Sequence, residues 1–426
     1  MQISAALPRD VCIPPGASGI PFAFFDDFSW RSFVALIWPA LPDERGAPDL
    51  SASVGAADRS VVFDTYKADW ELFQPNGGAP AAWLQRGPAN PCPNVASLGA
   101  HDLVLASFTK FENVGQADFG TLVGPLVAQN GTYAVYLAGF NKVEFDQIVE
   151  RRWFLRSNLQ SVNFTPDASG NNPIDVKSSW VLIRNNKPDK SRFYTRRAWV
   201  YDLQTNLCSE QTVALVGLHI VTKTASRPQW IWSTFEHVDN VPEDGASAPF
   251  TFNDGSGTAM TDDNTVSFPP PATPPPPFNV TRLQRIATST AATNAKYQAA
   301  LATRGSGVWR FYRLVMTQWP NPGDAPANPG TPAFTFPGNG ATTPFANVTM
   351  ETFQQRSIRK GCMACHNIVG PANAGSNTDF LWALQMNAFP PNPGTSPSQP
   401  QFHTLMRREP SNPALRALKR VLESKN

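Results

Sequence analysis

The stretch Cys362-Met363-Ala364-Cys365-His366 contains the residues of this chain whose types and spacing point most clearly to chemistry. Cys-x-x-Cys-His is the attachment signature of c-type haem, because two thiols at this spacing can reach the vinyl groups on one edge of a porphyrin. The adjacent His366 then lies under the iron and supplies an imidazole nitrogen as its proximal ligand. The motif predicts one covalent haem c, held by Cys362, Cys365 and His366.

Two other interpretations of this motif stay open. A structural zinc site needs two more ligands at comparable spacing, and the sequence has no second Cys-x-x-Cys and no His-x3–5-His. A thioredoxin-like redox pair follows a strand and opens a helix in a βαβ unit, whereas the residues before Cys362 are typical of a short helix. Both interpretations therefore fit the surrounding sequence less well than haem.

The sixth iron ligand decides between two kinds of haem protein. Met406 follows the motif and precedes a predicted terminal helix, so it is one candidate. Met386 is another, although it lies in a predicted helix at 378–389, where a methionine is more often part of a core. A histidine such as His403, or an open position, is the remaining alternative. A methionine saturates the iron and suits electron transfer, whereas an open position permits peroxide or oxygen chemistry.

The organisation of the chain predicts an α+β fold in two parts. Four stretches at 174–183, 191–202, 212–224 and 229–238 are dense in β-branched and aromatic residues and are predicted to be strands. We expect a large mixed domain of sheet and helices over 1–320, with a Pro-rich excursion at 240–278. A Pro/Gly-rich linker follows at 321–346. A small all-α haem module is predicted at 347–426, ending in a helix over 411–426.

The last part of the chain resembles the small monohaem cytochromes c of bacteria. The resemblance rests on the five motif positions and on the order helix, motif, helix, terminal helix. The larger part is similar to long proteins of the cytochrome c family, through GLHIVTKTASRPQWIWSTFEHVDN and NVTMETFQQ. The resemblance implies a redox protein and a methionine ligand placed like Met406.

Three polar residues of the large domain are candidates for catalysis. His219 alternates with Val213, Leu215 and Val221 in one predicted strand, and Glu236 and His237 lie in the next. If the two strands are neighbours, an imidazole and a carboxylate converge over the haem edge, as peroxide activation requires. The plainer interpretation is that both histidines are satisfied polar groups in a tryptophan-rich core.

Composition limits the partners and the location. Charged residues are 16% of the chain and the net charge is +2, which argues against binding to nucleic acid. No run of about 18 apolar residues exists that could cross a membrane. Haem c is attached outside the cytoplasmic membrane, so we expect a periplasmic or extracytoplasmic protein whose export signal has been removed. In that compartment cysteines can pair, and the proline-flanked Cys12 and Cys92 are the favoured pair.

Three functions follow from the sequence. The first is a periplasmic monohaem cytochrome that transfers electrons to a partner protein. Residues 351–426 carry a net charge of +5, which would steer an acidic partner. The second is a peroxidase- or oxygenase-like haem oxidoreductase whose large domain forms a pocket for a small-molecule substrate. The third is a binding protein that carries a haem without turnover.

Overall fold

A computed structural model of the chain describes residues 3–15, 22–56, 59–106, 114, 125–243, 249–256, 270–277, 279–305, 307–319, 346–355, 362, 366, 369 and 378–390. The strands are β1 Lys67–Ala68, β2 Leu103–Leu105, β3 Ala134–Phe140, β4 Ile174–Leu182, β5 Thr195–Asp202, β6 Leu207–Thr224, β7 Arg227–His237 and β8 Tyr312–Gln318. The α-helices are α1 Phe22–Leu36, α2 Asp69–Leu72, α3 Lys142–Glu150, α4 Thr288–Thr303 and α5 Trp382–Asn387.

The eight strands form one mixed sheet. Strands β1, β3, β4, β6, β5 and β2 follow one another across it, and β7 pairs with β6 and with β8. The pairing of β2 with β5 is parallel, and the other strand pairs are antiparallel. At 18 residues, β6 is long enough to pair with β4 along one edge and with β5 and then β7 along the other. The four predicted strands between 174 and 238 are confirmed as β4 to β7.

One face of the sheet, the core face, is covered by helices. Residues of β4, β6, β7 and β8 on this face pack against α1 and α4; they include Val176, Trp180, Leu215, Leu218, Ile220, Phe235 and Leu314. The helices contribute Trp30 and Phe33 from α1 and Tyr297 from α4, all at most 2% exposed. This face forms the largest apolar core of the described chain, and aromatic rings such as those of Trp30, Phe33 and Tyr297 contribute large buried surfaces to it.

The opposite face, the site face, carries polar residues among apolar ones. It includes Asp175 and Lys177 of β4, His219, Val221 and Lys223 of β6, and Trp230, Trp232, Thr234 and Glu236 of β7. The predicted grouping of His219 with Val213 and Leu215 is wrong. A register shift opposite Ser179 and Trp180 places one extra residue in β6, so alternation reverses between Leu215 and Gly217. Leu215 therefore packs in the core, and His219 lies on the site face.

The predicted small all-α haem module is not found in the described residues. Residues 346–355 and 378–390 lie on the site face instead, with a 3-10 helix at Thr352–Gln354 and the six-residue α5 as their helical elements. Val348, Met350 and Phe353 are buried in one apolar cluster with sheet residues that include Tyr136, Val181 and Val216. The fold is thus mostly sheet, and the α+β division with a separate helical module is wrong.

Other predictions about the last third of the chain are not decided. Residues 321–345 of the linker predicted at 321–346 lie outside the described residues, as does the predicted terminal helix at 411–426. The proposed domain limits stay predictions. No described helix combines the length and the apolar character needed to cross a membrane.

A disulfide joins Cys92 to Cys208, and the pairing of Cys92 with Cys12 is therefore wrong. Cys208 is the second residue of β6. The Asn94 side chain holds it in place, because its amide donates to the Cys208 carbonyl at 2.8 Å and its oxygen accepts from the Cys208 N–H at 2.9 Å. Cys12 is exposed and not disulfide-bonded.

Candidate functional site

His366 of the Cys-x-x-Cys-His motif lies against the site face with a fixed orientation. Its Nδ1 lies 2.7 Å from the carbonyl oxygen of Phe380, and its ring packs on Trp232 with centroids 4.2 Å apart. A carbonyl oxygen only accepts, so Nδ1 carries the hydrogen and donates it. The lone pair of the ring is then on Nε2. This is the state in which a histidine ligates a metal, with its other nitrogen bonded to an outer acceptor.

The Phe380 carbonyl is itself held by the sheet. Asp379 and Phe380 both have left-handed backbones, with φ of 51° and 72°. The Asp379 carboxylate accepts from Lys223 Nζ at 2.6 Å and from the Phe164 N–H at 2.8 Å. The Asp379 carbonyl accepts from Trp230 Nε1 at 3.0 Å. Non-glycine residues keep such backbones only where their surroundings over-determine them, as these three donors do here.

Burial keeps the His366 imidazole neutral. Removal from water lowers its pKa to about 4, and this outweighs the bond to the Phe380 carbonyl, which raises the pKa. His219 and Lys177 lower it further, while Glu351 raises it. At neutral pH the ring is therefore uncharged, which is the form that binds metal ions.

The other predicted haem residues are described in part. Cys362 is half-buried and packs against a cluster of aromatic and aliphatic residues, called here the aromatic cluster, that includes Trp153, Phe164, Trp230, Trp232, Phe380 and Leu384. Met386 is half-buried on α5. Cys365, Met406 and His403 lie outside the described residues. The residues that are described fit a haem edge, because a thiol and a correctly protonated imidazole lie beside one apolar surface.

A polar strip runs beside this position on the site face. Lys177 of β4 is paired in register with His219 of β6, and both are half-buried among buried neighbours. His219 Nε2 lies 2.6 Å from the carboxylate of Glu351, and each of these side chains is 16% exposed. The carboxylate accepts, so His219 donates. The second Glu351 oxygen accepts from the Asn347 N–H at 2.8 Å.

A glycine allows the segment 346–355 to lie this close to the sheet. A Cβ atom on Gly217 of β6 would be 2.2 Å from the hydroxyl oxygen of Thr349. Asn347 then reaches across to β7, where its amide donates to the Thr234 hydroxyl at 2.9 Å and to the Phe235 carbonyl at 2.8 Å. Glu351 is positioned by this docking, and it meets His219 for that reason.

Glu236 does not meet His219. Its carboxylate is fully buried and accepts from the guanidinium groups of Arg282 and Arg313, with the Arg313 contact at 2.8 Å. Glu243 bridges the same two arginines. Burial alone would raise the pKa of Glu236, but the two guanidinium groups outweigh burial and lower it. The structure therefore places Glu236 in a buried ion-pair network.

His237 lies on the other side of the sheet from His219. Its Nε2 donates to the Arg192 carbonyl oxygen at 3.0 Å, and its Nδ1 accepts from the Asp239 N–H at 3.1 Å. Its ring stacks on Phe193 with centroids 3.5 Å apart. Burial lowers the pKa of His237 to about 3, so the ring is neutral with both nitrogens occupied. The structure does not bring His219, Glu236 and His237 together.

Sequence reasoning missed four charged residues near the site. Lys177 and Glu351 border His219, and Asp175 and Glu144 lie among the buried groups beside them. Burial raises the pKa of Asp175 to about 7, and burial with the nearby Asp175 and Asp379 raises the pKa of Glu144. The sequence does contain a signal for two of them. Asp175 and Lys177 lie two positions apart in a predicted strand, so both charged side chains are expected on the same face.

Comparison with known proteins does not assign this chain to a family. The chain matches no protein-family model, no curated protein and no solved structure. Within the described residues, no group of three or more His, Cys, Asp or Glu is arranged to hold a metal ion.

Proposed function

We propose that the chain is an extracytoplasmic haem c protein that transfers electrons, with one haem bound through Cys362, Cys365 and His366. The observation that carries the proposal is the hydrogen bond from His366 Nδ1 to the Phe380 carbonyl oxygen. It directs the lone pair to Nε2, and this second bond is what a metal-ligating histidine requires. Haem c, when bound, supplies reversible one-electron transfer at its iron.

The residues around His366 would hold its imidazole in place and shield it from water. Trp232 packs on the imidazole, and Phe380 and Leu384 extend the same apolar surface. Exclusion of water lowers the local dielectric and strengthens the hydrogen bond to Phe380. The proposed sixth ligand is Met406, with Met386 as the alternative, because either would saturate the iron and favour electron transfer.

The proposed location and partner rest on charge and on cysteine chemistry. The Cys92–Cys208 disulfide is the kind of bond that persists in oxidising compartments such as the periplasm. A redox partner with an acidic surface would suit the +5 net charge of residues 351–426.

A second candidate function is favoured by the polar strip. His219 is half-buried, hydrogen-bonded to Glu351 and in register with Lys177, so an imidazole backed by a carboxylate lies beside the proposed haem position. Such a pair can accept a proton from a bound substrate and return it. We propose as the alternative a haem oxidoreductase that acts on a small molecule, with the His219–Glu351 pair as its proton-transfer group.

Expression with an export signal and the haem attachment machinery tests the first proposal. We expect haem to stay on the chain after denaturation and to give a c-type absorption spectrum. The double variant Cys362→Ala, Cys365→Ala should lose covalent haem, whereas Met363→Ala, between the two thiols, should keep it. If the wild-type chain acquires no covalent haem, both haem proposals are wrong and a zinc or thiol role is left.

Carbon monoxide then separates the two haem functions. A ferrous spectrum that carbon monoxide does not change means a saturated iron and supports electron transfer. A spectrum that changes means an open position and supports the oxidoreductase. In that case His219→Ala and Glu351→Gln should each slow peroxide reduction by about 10²-fold or more, since general acid–base groups contribute that much. Glu210→Gln, on the exposed edge of β6, is the control.

A further inference from the structure

A cleft lies away from the proposed haem position, next to the buried His237. It is lined by Ser191 and Arg192 before β5, Gly305 after α4, and Gly307, Arg310 and Phe311 of the 3-10 helix Gly307–Phe311. Its volume is about 500 Å³. Clefts that hold small organic molecules have volumes of this order, and an inorganic ion alone would fill only a small part of it.

Two arginines meet over one aromatic ring in this cleft. The guanidinium carbon of Arg192 is 4.0 Å from the Phe311 ring centroid, and that of Arg310 is 4.8 Å away. Arg192 is neutralised by Asp239, which accepts from its Nε and, at 2.8 Å, from its Nη2. Arg310 makes no hydrogen bond or ion pair with any described residue. The cleft therefore presents an exposed, uncompensated guanidinium group, which can bind a carboxylate or phosphate through two parallel bonds.

The floor of the cleft is fixed before any ligand arrives. His237 donates to the Arg192 carbonyl and accepts from the Asp239 N–H, so it holds the two ends of the ion pair. The Val238 N–H donates to the Phe311 carbonyl at 2.9 Å and fixes the position of the aromatic residue. A ligand would bind without ordering these groups, and preorganisation of this kind favours affinity.

The opposite wall leaves room for the body of a ligand. Gly305 and Gly307 have φ of 67° and 57°, a backbone that glycine adopts without strain. A Cβ atom placed on Gly305 would meet nothing within 4 Å, so the space in front of it is open. Ser191 donates its hydroxyl to Asp189 at 2.9 Å and keeps its lone pairs for a donor.

We propose that this cleft is a binding site for a small organic anion, a molecule with a carboxylate or phosphate group on an apolar body. Arg310 binds the anionic group, and Phe311 with the glycine wall contacts the body. Arg192, whose charge is neutralised by Asp239, contributes the N–H groups that Asp239 does not use. The assignment gives His237 a positioning role behind the site, and it is independent of whether the chain carries haem.

Calorimetric titration of the full chain tests this site, with benzoate, phenyl phosphate and the uncharged phenol as probes at constant ionic strength. We expect at least one anion to bind with a dissociation constant of about 1 mM or lower, while phenol binds at least about tenfold more weakly. Binding of benzoate alone assigns a carboxylate ligand, and binding of phenyl phosphate alone assigns a phosphate ligand.

Two arginine variants separate a built site from general surface charge. Arg310→Gln should weaken anion binding about tenfold or more, because it removes a charge-assisted bidentate contact. Arg304→Gln is the matched control, since Arg304 is also exposed at the end of α4 but does not line the cleft, and it should change binding less than about twofold. The proposal is overturned if neither anion binds, or if phenol binds as tightly as the anions. It is also overturned if Arg310→Gln and Arg304→Gln weaken anion binding equally.

Discussion

His219 and Glu351 are joined by a 2.6 Å hydrogen bond although 132 residues separate them in the chain. His219 belongs to the long central strand β6, and Glu351 lies in the segment that leads to the Cys-x-x-Cys-His motif. The bond therefore ties that segment to the sheet, and it does so beside the position proposed for haem. The Asn347 N–H also donates to the second carboxylate oxygen of Glu351, so both oxygens of Glu351 are hydrogen-bonded.

Glu351→Gln tests how much this bond stabilises the docked segment. The amide keeps an acceptor for His219 but loses the charge, so we expect the free energy of unfolding to fall by about 1–2 kcal/mol. The side chains are 16% exposed, which limits the effect. Glu210→Gln is the control: its ion pair with Arg197 is largely exposed and should contribute less than about 0.5 kcal/mol. Equal losses in urea denaturation would contradict a docking role for Glu351.

Asp379→Asn tests the support of the Phe380 carbonyl. Asparagine tolerates the left-handed backbone at this position, so the substitution mainly removes the charge that pairs with Lys223. Both side chains are at most 5% exposed, and breaking one half of a buried pair costs about 3 kcal/mol in unfolding free energy. The double variant with Lys223→Met should recover part of this loss, since no unpaired buried charge is left.

The same variant also tests the proposed haem site, through an expected effect that a general loss of stability does not explain. If the Phe380 carbonyl moves, the His366 Nδ1 bond weakens, the imidazole becomes a poorer electron donor and the reduction potential rises. The measurement is a redox titration of folded, haem-loaded protein under conditions where the variant is fully native. An unchanged potential would show that Asp379 supports the fold but not the ligand.

The disulfide is tested by peptide mapping and by substitution. Cys92 and Cys208 lie 116 positions apart in the chain, and disulfides that close loops of that size stabilise folded chains by about 2–5 kcal/mol. Cys92→Ser with Cys208→Ser should lower the unfolding free energy by that amount, whereas Cys12→Ser should change it by less than about 0.5 kcal/mol. A non-reduced digest should contain a peptide that links Cys92 and Cys208. A peptide linking Cys12 and Cys92 would falsify the assignment.

Much of the sheet could be predicted from local sequence. Strands β4 to β7 are dense in β-branched and aromatic residues, and the sequence predicts them within a few residues of their ends, except at the start of β6. The central position of β6 also follows from sequence, because both of its faces are apolar. Strand alternation alone could not predict the bulge next to Gly217, because pairing with β4 determines it. Simple alternation therefore places His219 on the same face as Val213 and Leu215, which is wrong.

The parts that failed depend on contacts between distant residues. The helix predicted at 378–389 is shorter in the structure, where α5 is confined to 382–387. Asp379 accepts from Lys223 and Trp230 of the sheet, and Asp379 and Phe380 have left-handed backbones that a helix cannot include. The sequence predicts a helical module because the motif suggests a self-contained haem unit. Glu351 was overlooked as a partner of His219 because no local pattern reports a contact across 132 residues.

Asp26 makes the stability of the fold depend on pH. This carboxyl group of α1 is fully buried, and burial raises its pKa to about 6 although the hydroxyl groups of Thr290 and Thr317 hydrogen-bond to it and lower the pKa. The folded state therefore keeps this proton up to about pH 6, whereas the unfolded chain releases it near its ordinary pKa of 3.8. Between these values the unfolded state binds fewer protons, so stability falls as the pH rises.

Asp26→Asn should flatten this dependence. The wild-type contribution of Asp26 is fully present below about pH 4 and decreases by about 3 kcal/mol as the pH rises through 6, since one pKa unit corresponds to about 1.4 kcal/mol. Asparagine resembles the protonated carboxyl and does not titrate. As the pH rises from 4 to 7, the unfolding free energy of the variant should therefore increase relative to that of the wild type. Urea denaturation at fixed ionic strength measures that difference, and it cancels the contribution of other buried acids such as Asp175. A difference that stays constant across this range would mean that Asp26 is ionised in the folded protein.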